Sequence, residues 1–365
     1  MSRAEVVELC RQAGERGDRL YLSEFDLSES DLTELRFRNV CFGRHKGDGP
    51  ALLMGTKFGG SRFEDCSFVH AELIDTKFMD TKYGASCFKD CSFAHAELTK
   101  TYFRGCRFVD CDFRFSRFSG AQLAEAHILR SDFYRAQLGE GTVMARVHIE
   151  LSSMSSTGLE GTVDLEWQSF KRRGGAPALV QESAALYPSF LRRTEEDRPR
   201  ENTVEHALAI RLEDAARVYR GLSGLWAGRG SFDDAGAAYA YGRRLERQAR
   251  GPFYRGSRFR PLSWLWLWVA DLVCGFGESL PRVVAWIAAL ALLPGLGYRL
   301  FGGVVGAHGL LDDLLYSLSS LTSSHPSDLD AANKLVSWIG VVQTFLGVAL
   351  LGLFGFVLGN KIRNS

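Results

Sequence analysis

Charge of one sign is what this chain lacks most plainly: 44 Lys and Arg stand against 43 Asp and Glu, a formal charge of +1 over 365 residues. Nothing in that balance draws the protein toward a polyanion, and no nucleic-acid partner is expected. The opening MSRAEVVELCRQAGERGDRL has no apolar stretch followed by a small-residue cleavage site, which predicts no secretory signal and a cytosolic N-terminal region. Without export, the eight cysteines are expected as free thiols rather than disulfides. Across roughly the first 150 residues there is also no nucleophile beside a base, no phosphate-cradling loop and no pair of facing carboxylates. The reading is therefore a protein that is not an enzyme, with no catalytic residue, no metal site and no cofactor.

What is present is a repeat. From Phe58 through Phe63, Phe68 and Leu73 to Leu138 and Val143, a large apolar residue returns at every fifth position without a gap, Tyr83 included. Two places before each stands a small residue, from Thr56, Ser61, Cys66 and Ala71 to Ala136 and Gly141. A period of five suits neither the 3.6 of a helix nor the 2.0 of a strand, and points to a solenoid. The register also runs backward through Leu22, Leu27, Leu32, Phe37 and Phe42. There the small-residue column holds Leu20, Phe25, Ser30, Leu35 and Val40, mostly bulky, which predicts a loose first coil. Residues 43–57, with GRHKGDGP, shift the phase and read as an inserted loop.

The two columns resemble those of the pentapeptide-repeat family. That resemblance implies a right-handed quadrilateral β-helix over residues 1–170, each five-residue unit forming one side of a square coil with its large residue on the axis. Cys66, Cys91, Cys106 and Cys111 fall in the small inward column, while His70 and His95 fall on outward positions. Some members of that family are acidic mimics of DNA that occupy type II topoisomerases. Here the outward positions mix Lys82, Lys89 and Lys100 with Glu64, Asp65 and Glu97, which argues against such a role.

Residues 171–202, opening with KRRGGAP, read as a linker. Residues 203–251 then show helical spacing broken at AGRGSFDD, where Gly228 and Gly230 stop one helix and Ser231 caps the next. Tyr219, Leu222, Trp226, Ala235 and Tyr239 resemble the spacing of one tetratricopeptide-like unit, which predicts a short α-helical hairpin. In residues 252–280, Trp264, Trp266 and Trp268 follow Arg255, Arg258 and Arg260, as expected of an interfacial helix. Residues 281–365 hold two apolar runs. The first extends from Val283 to Val305 with Pro294 as an expected kink, and the second from Leu335 to Asn360 without a charged residue. Basic residues before the first and after the second place both termini in the cytoplasm of a multi-pass inner-membrane protein.

Between the runs, Tyr316 to Leu329 resembles the pore-loop pattern of the two-span potassium-channel pore domain, and Trp338 to Lys361 resembles its inner helix. The whole chain therefore reads as multidomain: pentapeptide β-helix, helical hairpin, and a two-transmembrane-helix pore-loop membrane domain. The resemblance implies a homotetramer in the lipid bilayer passing monovalent cations. Its filter-equivalent stretch would be Thr322, Ser323, Ser324, His325, Pro326, Ser327 and Asp328, with Gly347 and Gly352 as inner-helix hinges. His325 and Ser327 occupy the places of the two filter glycines, so weak cation selectivity is expected. The solenoid would serve as a cytosolic sensor or scaffold for an unidentified ligand or protein. The alternative is a membrane-anchored pentapeptide-repeat scaffold that does not conduct.

Overall fold

The computed structural model describes residues 1–23, 25–43, 49, 51–80, 84–159, 162–170, 177–183, 185–187, 204–252, 261–298, 300, 303–322, 324 and 329–363. They divide into two compact units, built mainly from Met1–Arg229 and from Gly230–Pro252 with Arg258–Ser365.

The first unit opens with helix α1 (Arg3–Arg16), started by a capping box between Ser2 and Glu5 and stopped by Gly17 at φ 71°. Arg3 donates to the carbonyls of Asp31 and Thr33, which lays α1 over the first coil. A solenoid of about six turns follows. One face is a parallel sheet of β1 (Arg36–Arg38), β2 (Arg62–Glu64), β3 (Cys87–Lys89), β4 (Arg107–Val109), β5 (His127–Leu129) and β6 (His148–Glu150), stacked in chain order. The other sides close through tight turns. In them the N–H of the small residue donates back to the large one, as from Ala71 to Phe68 at 2.9 Å and Cys106 to Phe103 at 3.0 Å. The residue between takes a left-handed φ, as at His70 (58°), Lys100 (55°) and Gly105 (69°). Only glycine adopts that conformation freely. His70 and His95 are held in it because their N–H groups bond across to the carbonyls of Ala94 and Arg114 in the next coil.

The axis is filled by rings in register. Phe68 stacks on Phe93 at 4.7 Å, Phe93 on Phe113 at 4.9 Å and Phe113 on Phe133 at 4.7 Å. Hydroxyls in the small column are buried too, and several find a carbonyl one coil away, Ser61 on Leu32 at 2.9 Å, Thr76 on Leu53 and Thr101 on Leu73 at 2.7 Å, while Ser116 and Ser131 turn to Phe113 O and Leu129 O in their own coil. Small polar residues fit the core because the backbone offers them an acceptor.

Three departures from the expected register follow from where the backbone bonds close. The coil resumes at Ala51 and Leu53, both fully buried, inside the range expected for the inserted loop, and Ala51 N–H reaches Phe42 O at 2.9 Å. Met79–Asp80 pairs antiparallel with Gly84–Ala85, and Ser86 N–H closes directly on Phe78 O. Tyr83, expected on the axis, lies outside the described residues. The axis rings stack Phe63 on Phe88 and Phe78 on Phe103. At the far end Thr142 and Met144 are buried in place of Gly141 and Val143, a slip of one residue, and the columns continue through Val147 with Ile149 and Ser152 with Met154. In the first coil Leu22, Leu27 and Leu32 are fully buried, and bulky Phe25 is 42% exposed, turned outward for want of room.

Helix α2 (Val204–Gly228) belongs to this same unit and closes its far end. Its Trp226 indole donates to Leu165 O, its Tyr219 hydroxyl to Glu182 at 2.8 Å, and its Asp214 accepts from Ser155 and Gln181. Both helices of the expected hairpin form, and they fall in different units. Its first helix is the solenoid's lid, and its second, α3 (Phe232–Ala249), falls in the second unit.

The second unit continues with α4 (Pro261–Cys274), α5 (Leu280–Tyr298), α6 (Leu310–Leu321) and α7 (Lys334–Arg363). Two of these, α5 and α7, are long and apolar enough to cross a membrane. The first ends at Tyr298 rather than running on to Val305, because Val304–Val305 is a strand paired antiparallel with Asp330–Ala331.

Candidate functional site

The short helix α6 sits between α5 and α7, and the residues that hold it there are polar. Pro294, inside α5, has no N–H to offer Leu290, so the Leu290 carbonyl would be an orphan in an apolar setting. Gln343 of α7 supplies the missing donor: its Nε2 reaches Leu290 O at 2.9 Å, and also Ser317 O at 2.7 Å and Ser317 Oγ at 2.6 Å on α6. Its Oε1 accepts from the Tyr298 hydroxyl at 2.7 Å. Ser317 Oγ donates to Ala291 O at 2.5 Å, and Thr344 Oγ1 to Ser320 O at 2.6 Å. Gln343, Ser317 and Ser320 are all buried.

Two glycines permit this closeness. A Cβ on Gly295 would lie 2.8 Å from Leu314 Cδ2 and 3.2 Å from its Cα, and one on Gly347 would lie 2.8 Å from Leu321 O. Gly347, expected as a hinge, is thus a packing contact between α7 and α6. Gly352 has open space where a Cβ would go, and α7 runs through both without interruption. Of the filter-equivalent residues, Thr322 ends α6 and its hydroxyl lies 2.8 Å from that of Ser324, whose N–H bonds Ser319 O at 3.1 Å. Ser323, His325, Pro326, Ser327 and Asp328 lie outside the described residues.

A second polar centre joins three elements of the same unit. Asp271 on α4, 7% exposed, accepts from Arg247 on α3 at 2.7 Å, Arg244 on α3 at 3.2 Å and Arg282 at the start of α5 at 3.1 Å. Sequence reading passed over both centres. Their signals were a lone glutamine in a charge-free run and a lone aspartate among tryptophans, residues whose presence in apolar helices demands partners.

In the solenoid, burial pushes the thiols of Cys66, Cys91 and Cys106 upward, while that of Cys10, half covered on α1, rises to about 11. Cys87 is exposed. Iodoacetamide at pH 8 is expected to modify Cys87 first. Cys66, Cys91 and Cys106 should react at least about a hundredfold more slowly until the protein is unfolded, since the thiolate is the reactive form. Peptide mapping after timed labelling checks this, and early labelling of Cys106 would show that the column is not closed.

With this geometry in view, residues 86–123 and 106–140 match the family model described as pentapeptide repeats, in eight copies. This segment is a pentapeptide-repeat domain. Solved structures that match part of the chain include a pentapeptide repeat protein from the Arabidopsis thaliana thylakoid lumen, 17% identical over 33% of this chain and 68% of that one, TM-score 0.17. QnrB1, a plasmid-mediated fluoroquinolone resistance protein, is 17% identical over 36% and 77%, TM-score 0.15. HetL, involved in heterocyst differentiation regulation in the cyanobacterium Nostoc sp., is 12% identical over 45% and 97%, TM-score 0.14. No curated protein matches the chain.

Proposed function

We propose that α4 to α7 form a two-span membrane domain whose re-entrant helix α6 borders an ion-conducting opening in a homotetramer, with the pentapeptide-repeat unit as its cytosolic sensor or scaffold. The observation that carries this reading is α6 itself. Its 12 residues reach roughly 18 Å at 1.5 Å each, too short for about 30 Å of hydrocarbon. It is nevertheless fixed between both candidate spans by the Gln343 and Thr344 hydrogen bonds. A loop that merely joined two anchors would have no need of a buried polar seat. The basic residues flanking the spans support an arrangement with both termini on the cytoplasmic side of the inner membrane.

The filter-equivalent chemistry argues for weak selectivity. A potassium filter aligns rings of backbone carbonyls in a conformation that glycine reaches most cheaply. His325 would be strained there, Pro326 is locked near φ −65°, and Ser327 brings no relief. Ser323, Ser324 and His325 would then line a wider, hydrated mouth, with Asp328, Asp312 and Asp313 favouring cations by charge. Purified protein in planar bilayers is expected to conduct, with potassium/sodium bi-ionic currents reversing near zero and flux falling on acidification as His325 gains a proton. A strong potassium preference would overturn the filter argument. The missing glycines equally favour a non-conducting anchor for the repeat domain. A monomer by native mass spectrometry, silent in bilayers, would select that reading.

A further inference from the structure

The Asp271 centre is over-supplied with positive charge. One carboxylate faces three guanidiniums, and each guanidinium has five N–H donors of which these contacts use one or two. Arg282 also spends Nη1 on the Asp271 carbonyl at 2.5 Å. The side chains of Arg244 and Arg282 remain 39% and 44% exposed, and Arg247 25%. The neighbouring Glu246 carboxylate is engaged elsewhere, holding Arg243 at 2.7 Å and Arg250. Beside this charge, α4 turns Leu267, Asp271 and Cys274 inward and leaves Leu262, Trp266 and Trp268 exposed at 84%, 69% and 42%. A helix that buries its aspartate and exposes its tryptophans is inverted for water and suited to an interface.

We propose that Arg244, Arg247 and Arg282, gathered by Asp271, hold the phosphate of an anionic phospholipid whose acyl chains lie along the exposed face of α4. This rests on the membrane reading above. The pairing of the two features selects the ligand. A free phosphate would leave the apolar face unused, and a zwitterionic headgroup would bring its ammonium toward three guanidiniums. Asp271 is a positioning residue: it converges the three side chains from α3 and α5 on one point.

The test uses the full chain in nanodiscs of phosphatidylcholine, titrated with phosphatidylglycerol and read by bound-lipid mass spectrometry. Phosphatidylglycerol is expected to bind about tenfold more tightly than phosphatidylcholine, with the preference shrinking as salt rises. Arg244→Gln with Arg247→Gln should abolish the preference. Arg282→Lys, which keeps the charge, should retain most of it, and Arg104→Gln on the solenoid should change nothing. Equal binding of the two lipids, a preference that survives the double substitution, or competition by inorganic phosphate at matched concentration would overturn the proposal. Failure of the membrane reading is separate: the chain would then leave the membrane fraction in a carbonate wash.

Discussion

Gln343→Leu is expected to destabilise the helical unit by about 3 to 5 kcal/mol, because it strands two buried polar groups at once. The Leu290 carbonyl loses the donor that replaces the N–H absent at Pro294, and the Tyr298 hydroxyl loses its acceptor. The loss is specific enough to be partly repaired elsewhere. Pro294→Ala restores an N–H to the Leu290 carbonyl within α5, so the double variant should recover roughly 1 to 2 kcal/mol of what Gln343→Leu lost. Thermal unfolding of the two single variants and the double variant in detergent gives the coupling. Additive losses would mean that Gln343 does not serve Leu290. Conductance, if the pore reading holds, should fall with Gln343→Leu because α6 loses its seat between the spans.

Phe103→Ala is expected to cost the repeat domain about 3 to 5 kcal/mol. The ring is fully buried, stacks on Phe78 at 5.0 Å and meets Phe108 edge-on at 5.1 Å, so its removal leaves a hole that two neighbouring coils border. In a solenoid each coil is stabilised mainly by its neighbours, so the defect cannot be absorbed by a distant core. Lys100→Glu, on an outward turn at φ 55°, should shift the same melting curve by no more than about 0.5 kcal/mol. An unchanged transition in Phe103→Ala would mean that the five-residue register is wrong.

How much of this was legible beforehand differs between the two units. The axis residues could be named because inward and outward alternate within five positions of the same segment, and neighbouring coils repeat the rule. The exceptions were invisible for the opposite reason. The five-residue pattern runs unbroken from Phe78 to Phe88, yet Ser86 N–H bonds Phe78 O directly, a choice set by which backbone groups meet. In the helical unit, apolar length made α5 and α7 readable, and the amphipathic stretch ahead of the filter-equivalent residues marked α6. The partners of Gln343 and Asp271 were not readable, since no local period links Gln343 to Leu290.

By itself, then, the order of residues determined the repeat domain's coil, its small and large inward columns and the two apolar helices, since each is specified by side chains within one turn of chain. The tertiary structure alone decided the rest: that α2 closes the far end of the solenoid, that Gly347 is a contact surface, and that Gln343 replaces the bond Pro294 removes. These depend on groups 26 to 61 residues apart, such as Ser317 with Gln343 and Trp226 with Leu165. A polar group buried in an apolar helix must find its partner wherever the fold brings one within hydrogen-bonding reach.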